Sequence, residues 1–318
     1  MENVIVILGP TASGKTKLSI ELAKEINGEI ISADSMQVYK YMDIGTAKPT
    51  KDEMQGIRHY LIDEIYPDEL FSVAKYQKLA LKYISEILQK GKVPIMVGGT
   101  GLYIKSVVEN ISFTETSIDI EFRKEMGRIA EEKGNSYLHK MLEEIDPEAA
   151  SRIHENDVKR IIRAIEVFRQ TNKTITEVNN ESKKIKPIYN FNVFGLTMDR
   201  QNLYQRIDKR VDMMIEAGLE DEVKKLLDMG YGSNTTAMQA LGYKEIILYL
   251  NGEISFDEAI YIIKRDTRRY AKRQLTWFRH MENVTWLDVD YYNKQYGENS
   301  IKKIIDTILQ RMVFSSNI

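Results

Sequence analysis

Gly9-Pro10-Thr11-Ala12-Ser13-Gly14-Lys15-Thr16 is the stretch that decides the fold. It fits the pattern G-x-x-x-x-G-K-S/T, and its flanks have the character that pattern needs. Before it, Val4-Ile5-Val6-Ile7-Leu8 is an unbroken aliphatic run, as in a parallel strand buried on both faces. After it, Leu18 to Ile26 reads as a helix closed by Asn27-Gly28, residues that tolerate the left-handed backbone of a helix C-terminus. Strand, glycine-rich turn and helix N-terminus together aim backbone N–H groups and the positive helix end at a phosphate. Lys15 is expected to reach the terminal phosphate oxygens, and Thr16 to offer its hydroxyl to a magnesium ion. The stretch therefore predicts a binder of a di- or triphosphate.

Two further apolar runs bring side chains to the same region. Glu29-Ile30-Ile31-Ser32 leads into Ala33-Asp34-Ser35-Met36-Gln37-Val38-Tyr39. An acid just past the end of a parallel strand faces the crevice where open α/β sheets bind ligands. Val93-Pro94-Ile95-Met96-Val97 ends in Gly98-Gly99-Thr100-Gly101-Leu102-Tyr103. An ATP-hydrolysing enzyme usually carries a magnesium-holding aspartate near such a strand end. Glycines and a threonine stand here instead, so the loop reads as a phosphate clamp without evident hydrolytic apparatus.

A chain of 318 residues suits one large or two ordinary domains. It has no cysteine, which excludes a disulfide framework and a cysteine-ligated zinc site. Met1 runs straight into the first strand without the charged and apolar regions of a leader peptide, and no apolar run approaches a membrane span. A cytoplasmic enzyme without a membrane partner is expected. The net charge of −2 argues against nucleic-acid binding only until it is resolved along the chain. Lys264, Arg265, Arg268, Arg269, Lys272, Arg273 and Arg279 stand against Asp266 alone, on a helix opened by Ser255 and Glu258. Ile260, Ile263 and Tyr270 are expected on its packed side. Such a stripe is either a solvated face or a contact for backbone phosphates, and the scarcity of interleaved acid favours a polyanion.

The remaining pattern predicts a helix over Ser72 to Gln89, a short strand over His59 to Ile65, and a strand over Asn192 to Met198. Residues 118–186 between strands are polar and helical, which makes them an insertion into a discontinuous core. Arg200 to Met229 reads as one long amphipathic helix, and a last helix is expected from Ser300 to Met312. Within the insertion, Lys159, Arg160 and Arg163 are either phosphate clamps or the solvent face of a helix packed through Ile161, Ile162 and Ile165. Thr236 with Gln239 reads as a capping box.

The segments GPTASGKT (9–16), ISADSMQVY (31–39), DIGTAKP (43–49), HYLID (59–63) and VGGTGLY (97–103), in this order and spacing, resemble the tRNA dimethylallyltransferase family, also called tRNA isopentenyltransferases. The resemblance continues through NDVKRIIRAIEV (156–167), ALGYKE (240–245) and TRRYAKRQLTWFR (267–279) and covers nearly the whole chain, most weakly at 114–150. Tyr60 departs from it, since relatives often have a second histidine after His59. Without a C-terminal zinc finger the chain resembles the bacterial form.

The resemblance implies an α/β fold: a P-loop NTPase-like core with a parallel sheet over 1–117 and 187–318, helical at its C-terminus, and a mostly α-helical insertion over 118–186 that contacts tRNA. It implies Mg2+, dimethylallyl diphosphate and a tRNA anticodon stem-loop as cofactor and partners, and a monomer. The implied acceptor is N6 of the adenosine immediately 3′ of the anticodon in tRNAs reading codons beginning with U. It places Asp34, Thr100, Lys15 and Arg210 in catalysis, residues Gly9, Pro10, Thr11, Ala12, Ser13, Gly14, Lys15 and Thr16 on the diphosphate, and Thr16 on the metal. It places Asp34, Ser35, Met36, Gln37, Thr100, Arg123, Lys159, Arg160, Arg163, Gln239, Gly242, Tyr243, Lys244, Arg268, Arg269, Lys272 and Arg273 against tRNA.

The chemistry asks for the same parts. An exocyclic adenine amine is a poor nucleophile, because its lone pair is delocalised into the ring, so its partner must carry a good leaving group. An allylic diphosphate does, with positive charge building on the allyl carbon as it departs. The protein has to stabilise the diphosphate, supply a base and exclude water. Asp34 beside the phosphate loop is the candidate base, and Thr100 the candidate holder of the amine. Other readings stay open at this point: a P-loop phosphotransferase using ATP, with the insertion as a lid; an inert RNA-binding P-loop protein; and a prenyl transferase acting on free adenine nucleotides.

Overall fold

The computed structural model describes residues 1–113 and 119–315. Its centre is a six-stranded, all-parallel sheet: β1 (Asn3–Leu8), β2 (Gly28–Ala33), β3 (His59–Tyr60), β4 (Val93–Gly98), β5 (Asn190–Thr197) and β6 (Val284–Asp288), in the order β3-β2-β4-β1-β5-β6. The aliphatic run in β1 is buried on both faces. Ile5 and Ile7 pack with the helices Lys15–Glu25 and Ser300–Ser315, and Val4, Val6 and Leu8 with the helices Val73–Gln89 and Gly101–Val108. Each such side chain contributes about 1.5–3 kcal/mol of burial free energy, which is why a strand of this composition takes the centre.

The register sets the site. Leu8 lies opposite Gly98, and Gly98 opposite Ala33. The three loops that follow therefore leave neighbouring strands at one level, which brings Gly9, Asp34 and Gly99-Thr100 side by side. A side chain at residue 98 would put its Cβ 2.1 Å from the Ala33 carbonyl, so only glycine permits this approach.

The chain divides into two compact units, Met1–Val108 with Tyr189–Ile318, and Glu109–Ile188. The second unit packs the helices Ile120–Lys133, Asn135–Ile145, Pro147–Arg152, Val158–Thr171 and Ile175–Ser182 around Phe122, Met126, Leu138, Leu142, Ile161 and Ile165. Buried Asp146 ties two of them together. It caps the helix Pro147–Arg152 through the Ala149 N–H at 2.9 Å and accepts from the Thr176 N–H at 3.0 Å and hydroxyl at 2.8 Å. Among the described residues, no helix is long and apolar enough to cross a membrane.

The structure departs from the sequence pattern in several elements. The strand expected over His59 to Ile65 stops at Tyr60, because Leu61 (φ 61°) and Asp63 (φ 57°) turn the backbone into the left-handed region. The single helix expected over Arg200 to Met229 is two, Arg200–Glu216 and Leu219–Asp228. Gly218 at φ 93° breaks it while the apolar period runs on across the break. Thr235, not Thr236, takes the Met238 N–H, at 3.3 Å. The edge strand β6 and the helix Tyr243–Leu250 carry no sequence signal that sets them apart.

Candidate active site

The phosphate loop folds as its sequence demands. Gly14 (φ 94°, ψ 12°) is the N-cap of the helix Lys15–Glu25 and, lacking a side chain, leaves the first-turn N–H groups to a ligand. A Cβ on Gly9 would lie 3.0 Å from the Leu196 carbonyl of β5, so the loop hugs the neighbouring strand end. Lys15 Nζ donates to the Pro10 carbonyl at 2.7 Å. Burial, followed by the Arg210 guanidinium, brings Lys15 down to about 7, against an opposing pull from Asp34. Arg210 is itself lowered by burial and by Arg206. Arg206, which the sequence reading missed, reaches to 3.6 Å from the position a Gly14 Cβ would take. Its spacing of four from Arg210 on one helix face is the signal that could have found it. Three cations, two of them with weakened charged forms, converge on one loop, which is the electrostatic signature of a site made for a polyanion.

Across from them, Asp34 Oδ1 accepts the N–H groups of Met36 at 2.8 Å and Gln37 at 3.3 Å, a local turn that fixes the carboxylate. Thr100 Oγ1 accepts the Ser35 N–H at 3.0 Å, and its own N–H donates to the Ala33 carbonyl at 3.0 Å. Tyr270 faces the cavity rather than the packed side expected of it. Burial and Asp34 push its hydroxyl up to about 12, with Thr100 and Gln274 in hydrogen-bonding reach. The cavity has a volume of about 370 Å³. Lys15, Asp34, Arg210, Tyr270, Arg273 and Gln274 give it polar corners, and Ile30, Ile62, Val97, Ile207, Val211 and Met214 an apolar wall. His59 lines it too, its imidazole pushed down by burial, with Nδ1 2.9 Å from the Ile57 carbonyl.

Several residues expected against RNA have partners of their own. Gln37 donates to the Thr46 and Ala47 carbonyls, both at 3.3 Å, and accepts the Ser32 hydroxyl at 3.1 Å, so its amide fastens the 44–47 loop; Ser35 and Met36 line the cavity. Tyr243 does not face outward. It is fully buried, its ring fills the space a Gly45 side chain would need, and its hydroxyl donates to Glu222 at 2.6 Å. Glu222 in turn accepts the N–H groups of Asp43, Ile44 and Gly45. Gly242 is buried as the helix N-cap, Lys244 lines the cavity, and exposed Gln239 donates to the Ser233 carbonyl at 2.6 Å.

The basic helix is Phe256–Arg279, and its charge is not uncompensated. The helix Arg200–Glu216 supplies acids from outside it: Asp208 pairs with Arg268 and Asp212 with Lys264, while Asp266 serves both Arg265 and Arg269. Lys272 and Arg273 are exposed, and Arg273 reaches the cavity. In the second unit, fully buried Glu166 accepts from Arg123 at 2.9 and 2.7 Å, from Arg163 at 2.7 Å and from the Asp119 N–H at 3.1 Å. Burial alone would raise its carboxyl, but these bonds hold it below the ordinary value. Lys159 and Arg160 are exposed, Arg160 lying 3.3 Å from Asp157.

Among the described residues, no group of three or more His, Asp or Glu side chains could hold a metal ion. The donor on offer is the exposed Thr16 hydroxyl at the phosphate loop. That fits a magnesium ion whose other ligands are substrate oxygens and water, the way this ion is commonly bound beside phosphates.

Known proteins resemble this chain over nearly all of its length. A family model described as IPP transferase matches residues 37–281. The tRNA dimethylallyltransferase of Acetivibrio thermocellus is 62% identical over 304 residues, 96% of either chain. That of Carboxydothermus hydrogenoformans is 56% identical over 308 residues, 97% of this chain and 96% of the relative. Among solved structures, the full-length tRNA isopentenylpyrophosphate transferase from Bacillus halodurans has 46% identity and a TM-score of 0.73, covering 100% of this chain and 99% of its own. A eukaryotic dimethylallyltransferase acting on tRNA has 30% identity and a TM-score of 0.79, covering 98% of this chain and 80% of its own. At such identity over almost the full length, the chain belongs to the tRNA dimethylallyltransferase family.

Proposed function

We infer that the chain transfers a dimethylallyl group from dimethylallyl diphosphate to N6 of an adenosine in tRNA, the one immediately 3′ of the anticodon in tRNAs reading codons beginning with U. One observation carries the chemistry: Lys15 and Arg210, both weakened as cations, share a cavity with Asp34, Thr100 and an apolar wall. The cationic loop takes the diphosphate and grows more favourable as negative charge collects on the leaving group. The apolar wall takes the five-carbon chain and excludes the water that would otherwise capture an allyl cation. Asp34 accepts a proton from the amine, and Thr100 holds that amine in line with the breaking C–O bond. Thr16 would hold a magnesium ion, which when bound would supply further charge neutralisation on the diphosphate. Stacked in an anticodon loop, the adenosine has to be flipped out to reach this depth. Lys272, Arg273 and the exposed cations of the second unit are the groups we assign to the RNA backbone.

Incubation with dimethylallyl diphosphate, magnesium and unmodified tRNA, followed by mass spectrometry of the nucleosides, tests this reading. The expected product is an isopentenyl-sized adduct on adenosine. Its absence with competent tRNA, or phosphate transfer from ATP in its place, would overturn the assignment.

A further inference from the structure

We propose that Gln274 is a positioning residue that holds the leaving-group half of the site in register with the acceptor half. The claim deepens the prenyl-transfer reading and rests on it.

The sheet itself stops short of this task. Pairing of β1 with β4 ends at Leu8 opposite Gly98, and the two functional loops begin one residue later. Beyond that point the primary amide of Gln274 takes over. Its Oε1 accepts the Thr11 N–H of the phosphate loop at 2.9 Å, and its Nε2 donates to the Gly99 carbonyl at 2.9 Å, one residue before Thr100. A primary amide both accepts and donates in one plane, so a single side chain can bridge an N–H and a C=O as a strand neighbour would. The bridge has no slack. Gln274 is buried, and a Cβ on Gly99 would fall 2.3 Å from its Nε2. In-line displacement tolerates little error, since a misplacement of about 1 Å can cost roughly 10²-fold in rate. The reacting carbon is set by the diphosphate on one loop and the amine by Thr100 on the other, so whatever fixes the two loops fixes that distance.

Two substitutions separate positioning from mere packing. Gln274→Glu is isosteric. As a carboxylate it still accepts from Thr11 but presents a second oxygen to the Gly99 carbonyl; once protonated it donates there again. Gln274→Met has similar length and neither bond. Lys15 and Asp34 across the cavity, with Tyr270 and Arg273 on the same helix, titrate or carry charge in both variants and in the wild type. The variant-to-wild-type ratio removes their contribution.

We expect both variants to fall roughly 30- to 100-fold in single-turnover rate at pH 8, with affinity for an anticodon stem-loop RNA within about threefold of wild type. The Gln274→Glu ratio should recover at least about fivefold between pH 8 and pH 5.5, as the carboxyl regains its proton, and the Gln274→Met ratio should stay flat. Thermal unfolding is followed alongside; if Gln274→Glu is too unstable to assay, the Gln274→Met rate decides. A folded Gln274→Met protein within threefold of the wild-type rate, or a flat pH ratio for Gln274→Glu, overturns the proposal. Wild-type protein that fails to modify the RNA sinks the prenyl-transfer reading instead.

Discussion

Lys15 stands under opposing pressures. Burial and Arg210 bring it down to about 7 from 10.5, while Asp34 draws it the other way. A diphosphate needs the ammonium form, so above pH 7 the ligand-free protein has to take up a proton as it binds. Calorimetry at pH 8 in two buffers of different ionisation heat should therefore find net proton uptake, and Lys15→Ala should lose it. For folding the sign runs oppositely to a stabilised lysine: between about pH 7 and 10.5 the unfolded chain binds the extra proton, so ligand-free stability rises with pH across that window. Asp34 stands at the other corner. Asp34→Asn keeps shape and loses basicity, and should lower the single-turnover rate by ~10²-fold or more with RNA affinity nearly intact. A rate within a few-fold of wild type would remove it as the base.

At the scale of an element, the helix Phe256–Arg279 does two jobs with neighbouring residues. Its middle is tied to the helix Arg200–Glu216 through Lys264–Asp212 and Arg268–Asp208. Farther along, Lys272 and Arg273 are exposed. Arg268→Gln should therefore lower stability by up to about 1 kcal/mol, as expected for a partly exposed ion pair, with little change in how RNA affinity depends on salt. Lys272→Gln should leave the melting temperature alone and flatten the slope of log affinity against log salt by roughly 0.7–0.9, the contribution of one phosphate contact. An unchanged slope for Lys272→Gln together with a flattened one for Arg268→Gln would reverse the assignment.

For the whole molecule, the second unit has its own hydrophobic cluster and its own buried polar ties, Asp146 with Thr176 and Glu166 with Arg123 and Arg163. Replacing residues 109–188 by a short Gly/Ser linker should leave a cooperatively folding core that still binds diphosphate, because every residue lining the cavity belongs to the first unit. Affinity for tRNA should fall at least tenfold. Retention of full tRNA affinity by that protein would remove the insertion from the RNA surface.

Sequence alone determined what contiguous residues can dictate: the phosphate loop after β1, Asp34 after β2, Thr100 after β4, the helical insertion and the basic stretch. Each is a local pattern, since a strand, a glycine turn and the next few residues set their own backbone path. Tertiary structure alone decided which distant groups meet. Gln274 is 263 residues from Thr11 and 175 from Gly99. Arg268 finds its acid 60 residues away, and Tyr243 its carboxylate on another helix. A basic stripe reads in sequence as one uniform face. Only the packing of a second helix shows that Lys264 and Arg268 already have acids while Lys272 and Arg273 stay exposed, and that the Tyr243 ring is buried. The break at Gly218 escaped for a related reason: apolar periodicity reports which face is buried, and that face stays buried when the helix stops and restarts.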